Sequence, residues 1–226
     1  MEKLIEGLKA FKSGRFARQE DLYQKLVREG QSPDTLFVTC SDSRVSPNML
    51  TDADPGELFV LRNAGNIIPP YGAGAESIES TVEYAMVALE ISHIVIAGHT
   101  HCGAVTGLMN PETVDELPAT GQWLRHAERT RRVVHTHCSH FDADDQLDIA
   151  IQENVLSQIE NLQTHPSVAA RLADGELSLH GWVVEIEAGD VHAYDPTEEQ
   201  FRSLEEVDEL PVASTGRSRP SLPILD

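Results

Sequence analysis

Three short apolar runs, "DTLFVTC" (34–40), "ELFVLRN" (57–63) and "SHIVIAG" (92–98), constrain the fold of this chain more than any other feature. They are rich in β-branched and aromatic residues and lack polar alternation, the pattern of strands buried on both faces. Between the second and third, Ile78, Val82, Ala85 and Leu89 recur at helical spacing. A strand, helix, strand rhythm predicts an α/β fold, a mostly parallel central β-sheet flanked by helices, with ligand sites beyond the carboxyl ends of its strands. Leu147, Ile151, Val155, Ile159 and Leu162 mark a long helix over about 143–163. "LSLHGWVVEIE" (177–187) and "DVHAYD" (190–195), joined by "AGD", read as a closing hairpin that supplies an antiparallel edge strand.

The flanks divide the chain into three parts. Residues 2–29 carry Leu4, Leu8 and Phe11, then Leu22, Leu26 and Val27, at helical spacing, with Gly14 and Gly30 as stops. We therefore expect an N-terminal helical arm over 1–30, an α/β domain over 31–204 and a flexible tail over 205–226. A formal charge of −20 repels phosphate backbones and anionic lipid, so neither nucleic acid nor membrane is an expected partner. The charged start lacks the features of a secretory signal, which makes the cytoplasm the expected location. Three cysteines, Cys40, Cys102 and Cys138, are too few for a disulfide framework and read as free thiols, some of them ligands.

Cys40 leaves the first strand and the pair His99 and Cys102 leaves the third, so a parallel sheet brings all three to one edge. Two thiolates and an imidazole suit Zn²⁺, and three protein ligands leave a position open for chemistry. Asp42 and Arg44 follow Cys40 on the loop bordering that edge. Two thiolates neutralise the zinc charge and make its water less acidic, so an Asp kept ionised by Arg can orient a zinc-bound hydroxide and favour that form. The same Arg keeps the carboxylate off the metal. The cluster "HTHCSH" (135–140) reads instead as a solvated helical face, and His93 as a satisfied core residue. His101 is the nearest candidate for a proton shuttle in sequence, although a solvent-exposed imidazole is the simpler reading.

"CSDSRV", "RNAGNIIPPYG", "EYAMVALE" and "GHTHCGAV" together resemble the signature blocks of the β-class carbonic anhydrases, and the match runs through "LHGWVVEIEAGDVHAYD". The resemblance implies zinc, one ion per subunit, on Cys40, His99 and Cys102, catalysis by the dyad Asp42 and Arg44, and reversible hydration of CO₂ to bicarbonate. It also implies a substrate pocket formed by Gln31, Phe59, Ala64, Tyr84 and the Gly103 backbone N–H. Ala64 stands where plant-type members have Val, which implies a slightly wider pocket; Phe37 stands where another branch has Trp, so water rather than Asp42 is expected in the fourth zinc position. The family's pockets lie at a dimer interface, implying a homo-oligomer built from dimers. Likeness to cyanobacterial carboxysome-associated members implies carboxysome components as alternative partners. A carbon disulfide or carbonyl sulfide hydrolase and a non-enzymatic bicarbonate-sensing or assembly protein are the competing functions on the same scaffold.

Overall fold

The three apolar runs form β1 (Thr35–Cys40), β2 (Leu58–Asn63) and β3 (His93–His99) in a computed structural model that describes residues 1–207 and 210–215. β1 lies between the other two and pairs parallel with both, Cys40 opposite Asn63 and Thr39 opposite Ala97. β4 (Ser178–Glu185) pairs parallel with β3 and antiparallel with β5 (Asp190–Asp195), so the expected hairpin is present. Two further strands were not legible in the sequence. β6 (Gln200–Ser203) extends the sheet beyond β5, and β7 (Ser214–Thr215) pairs with the start of β4, giving the order β2-β1-β3-β4-β5-β6 with β7 on β4. Part of the segment read as a flexible tail is thus built into the sheet, with the Ala213 N–H donating to Leu179 O. Of that segment, 208–209 and 216–226 lie outside the described residues.

In chain order the helices are α1 (Glu2–Phe11), α2 (Glu20–Glu29), α3 (Pro47–Leu50), α4 (Glu76–Val87), α5 (Gly103–Met109), α6 (Pro118–Leu124), α7 (Glu128–His137), α8 (Ala143–Leu162) and α9 (Pro166–Asp174). α8 starts where Asp142 accepts hydrogen bonds from the Asp144 and Asp145 N–H groups, a side-chain cap typically contributing ~1 kcal/mol. Its residues Ile151, Val155, Ile159 and Leu162 are all buried, as the spacing predicts. Gly98 permits this packing, since a Cβ there would lie 2.9 Å from the Val155 side chain. On the other sheet face Phe37, Val95 and Ala97 pack with Trp182, the rings of Phe37 and Trp182 meeting edge to face at 5.8 Å.

The arm differs from expectation at Gly14. Helix continues through it as a π turn over Lys12–Phe16, and the break falls at Gln19 instead. The widened turn brings Phe16 within 6.0 Å of Phe11 and 5.1 Å of Tyr23, an aromatic cluster that outweighs the modest helix-breaking tendency of one glycine. Gly30 does end α2, with φ of 83°. α1 buries none of its residues: Leu4, Ile5 and Leu8 are 63 %, 49 % and 69 % exposed.

Candidate metal centre

Parallel pairing places the ends of β1 and β3 side by side, and one donor atom from each of Cys40, His99 and Cys102 lies within 4.8 Å of the others. The Cys102 thiol donates to the Cys40 sulfur at 3.9 Å. That bond, with further help from the neighbouring His99 ring and then from the Gly65 and Asp42 backbone N–H groups, pulls the Cys40 thiol far below its usual range despite burial. Donating the same bond and being buried push Cys102 up, while the Ala104 and Val105 N–H groups pull the other way. The two sulfurs thus lie paired, Cys102 donating and Cys40 accepting, and a cation bound between them would displace that proton. His99 completes the set. Its Nδ1 donates to Thr100 O at 2.8 Å, which leaves the Nε2 lone pair free, and Nε2 is buried without a hydrogen-bond partner. An orphaned imidazole lone pair beside two paired sulfurs is the donor chemistry zinc requires, so these residues fit that ion.

Asp42 sits at the rim. Arg44 donates from Nε to Oδ1 at 3.0 Å, from Nη2 to Oδ2 at 2.8 Å and from its backbone N–H to Oδ1 at 2.9 Å. This bidentate clamp holds the Asp42 carboxyl well below the usual carboxylate range. Oδ2 lies 4.0 Å from His99 Nε2, so the carboxylate faces the donor set without joining it. Arg44 is itself oriented by His101 O, at 3.1 Å from Nη2.

Several supporting residues escaped the sequence reading. Arg62 spans the 40–45 loop, donating to the carbonyls of Cys40, Asp42 and Val45 at 2.9, 2.6 and 2.8 Å. Gly65, at φ of 81° and with a would-be Cβ 3.1 Å from Ala104 Cβ, turns its N–H onto the Cys40 sulfur at 3.4 Å. The loop carrying it is held by polar residues of α8: Asn154 Nδ2 donates to Gly65 O, Asn161 Nδ2 to Ile68 O, and Gln158 Oε1 accepts from the Ile68 N–H. Their signal was present as amides at i, i+4 and i+7 beside an apolar stripe, the spacing of one helix face.

The structure divides the expected pocket. Ala64 and Gly103 adjoin the donor set in sequence, and Ala64 lines a cavity of about 650 Å³ whose walls include Asn63, Ile78 and Trp123. Phe59 is aligned with Leu36, four residues before Cys40, hence roughly 13 Å along the strands from the donor edge. Its ring lies 6.0 Å from that of Tyr84 on α4. Gln31 precedes β1 at that same amino edge and is exposed. His101 is exposed, at φ of 54°, with its ring paired to Glu187. His135, His137 and His140 are exposed on and after α7, as expected of a solvated face. His93 departs from expectation: as the first residue of β3 it is exposed rather than in the core, though Nδ1 lies 3.2 Å from Nε2 of buried His180. Among the described residues a second donor group, Glu185, Asp190 and His192, is partly exposed and already paired internally.

The family model for carbonic anhydrase matches residues 35–191, which take in strands β1 to β4 and every residue of the donor set. The chain belongs to the β-class carbonic anhydrases. It is 50 % identical over 196 residues to a carbonic anhydrase of Synechocystis, covering 86 % of this chain and 71 % of the relative. It is 44 % identical to one of Synechococcus elongatus, covering 98 % and 80 %. Among solved structures, the β-carbonic anhydrase CcaA superposes with a TM-score of 0.87 at 48 % identity, covering 90 % and 91 %. A β-carbonic anhydrase from Sordaria macrospora, described as tetrameric, superposes with a TM-score of 0.76 at 25 % identity, covering 85 % and 95 %. The chain is thus a carbonic anhydrase with the α/β architecture read from its strands, and among its described residues no helix is long and apolar enough to cross a membrane.

Proposed function

We propose that Cys40, His99 and Cys102 hold one zinc ion per chain and that the enzyme interconverts CO₂ and bicarbonate there. The observation that carries this reading is the unpartnered His99 Nε2, buried beside the Cys102–Cys40 sulfur pair. Zinc in such a set supplies a Lewis acid and an open position at which water becomes nucleophilic near neutral pH. Asp42, kept ionised by Arg44, only accepts hydrogen bonds, so its Oδ2 can orient water or hydroxide alike through a proton that each still carries. Arg44 restrains the carboxylate from swinging onto the metal, and the formed Asp42–Arg44 pair supports the open arrangement expected from Phe37. Ala64 and the Gly103 N–H bound the substrate on the same chain.

Gln31, Phe59 and Tyr84 lie at the amino edge, so in this reading they complete the pocket of a second copy. The exposed apolar stripe of α1 supports such pairing, and the tetrameric relative supports an oligomer built from dimers. Ligand cysteines must stay reduced, and the free thiols fit the cytoplasmic location expected from the sequence. The test is stopped-flow CO₂ hydration on protein of measured zinc content, run beside carbon disulfide and carbonyl sulfide. One zinc per chain with rapid CO₂ hydration is expected. Turnover of only the sulfur substrates, or a fully zinc-loaded but inert protein, would replace the proposal with the hydrolase or the sensing reading.

A further inference from the structure

The polar face of α8 does more than satisfy a buried loop. Asn154 is 1 % exposed, and its Nδ2 donates to Gly65 O at 2.9 Å while its Oδ1 accepts from Gln158 Nε2 at 2.9 Å. Both ends of the amide are therefore fixed, in the middle of a long helix anchored against β3 and β4. Gly65 is in turn the residue whose N–H reaches the Cys40 sulfur at 3.4 Å, in a left-handed conformation that other residues rarely adopt. We infer that Asn154 is a positioning residue that sets, through Gly65, how strongly the Cys40 sulfur donates to the metal.

The inference rests on the zinc reading above. A hydrogen bond to a ligand sulfur withdraws charge from it, which leaves the metal more electrophilic, and outer contacts of this kind tune metal sites. Here two thiolates would otherwise neutralise the ion, so each N–H aimed at sulfur counters that effect. Asn161 provides a built-in contrast. About two turns further along α8 it donates to Ile68 O and Gln158 Oε1, serving the same loop without touching Gly65.

The experiment replaces zinc with cobalt(II) and reads the sulfur-to-cobalt charge-transfer absorption of the intact chain, with cobalt uptake measured alongside. Asn154→Ser should shift that band to longer wavelength, because a sulfur relieved of its hydrogen bond gives up charge more readily. Asn161→Ala should leave the band in place while lowering thermal stability. Should Asn154→Ser not fold, Gly65→Ala displaces the same N–H directly and carries the same expected shift. A wild-type chain that takes up no cobalt would overturn the metal reading and this inference together. Cobalt uptake with an unmoved band in a folded Asn154 or Gly65 variant, or an equal shift in Asn161→Ala, would overturn this inference alone.

Discussion

The two edges of the parallel sheet are finished to different degrees. At the carboxyl edge, Cys40, Asp42, Arg44, Gly65 and His99 are tied together by hydrogen bonds within one chain, and the His99 nitrogen that would face a metal is left without a partner. At the amino edge, Gln31 is exposed, Tyr84 is half exposed, and the preceding arm presents Leu4, Ile5 and Leu8 to solvent. The difference teaches that one chain by itself assembles all three candidate metal donors, whereas the residues proposed to complete the pocket face outward. Apolar surface left open this way marks an interaction site, and in the proposed assembly a second copy would turn one molecule's unfinished edge toward another's finished one.

The comparison breaks most completely at the carboxyl edge. Cys102→Ala should abolish tight zinc binding and bring CO₂ hydration to the uncatalysed background, measured by elemental analysis and stopped-flow assay; retained zinc with retained activity would remove this edge from the account. Asp42→Asn should keep its zinc and lose about 10²–10⁴-fold in kcat, the usual range for a positioned proton-handling group. Unchanged turnover would leave the clamp by Arg44 without a purpose.

The amino edge is tested by the arm. Leu8→Glu combined with Phe11→Glu should reduce the oligomer, read by light scattering, and activity should fall in step with the loss of assembly while zinc content holds. A monomer as active as the native enzyme would show that Gln31, Phe59 and Tyr84 complete no pocket across an interface.

Legibility in the sequence followed the same division. The carboxyl edge could be read because a buried strand ends visibly at "VTC" and "IAGH", and parallel pairing then leaves little freedom in where Cys40, His99 and Cys102 meet. The supports behind it could not. Asn154, Gln158 and Asn161 look like solvated helix positions until the 63–71 loop is known to lie on them, and Arg62 looks like an exposed base until its three carbonyl partners are seen. β6 and β7 are short and polar, and their pairing depends on β5 and β4 being in place first. Gly14 looks like a stop because a lone glycine weakens a helix locally, but the aromatic contacts of Phe16 are tertiary and decide the outcome.

The smallest expected effect is a pH dependence at the amino edge. Burial lowers the pKa of His180, with the bond from its Nδ1 to Pro211 O opposing the shift, so the fold favours the neutral ring. A group depressed in the folded state stabilises above its unfolded value, about 6.5 for His, and that contribution fades as pH falls through and below it. Thermal midpoints taken at pH 7.5 and 5.5 should therefore converge by a few degrees in His180→Gln relative to the native chain. An identical pH response in both proteins would mean that His180 titrates alike whether folded or unfolded.

The most direct test of the central claim is X-ray absorption at the zinc edge of the native protein. Two sulfur neighbours at about 2.3 Å and two nitrogen or oxygen neighbours at about 2.0–2.1 Å are expected, one from His99 and one from solvent. A sulfur-free or four-sulfur environment, or no bound zinc to measure, would contradict the account.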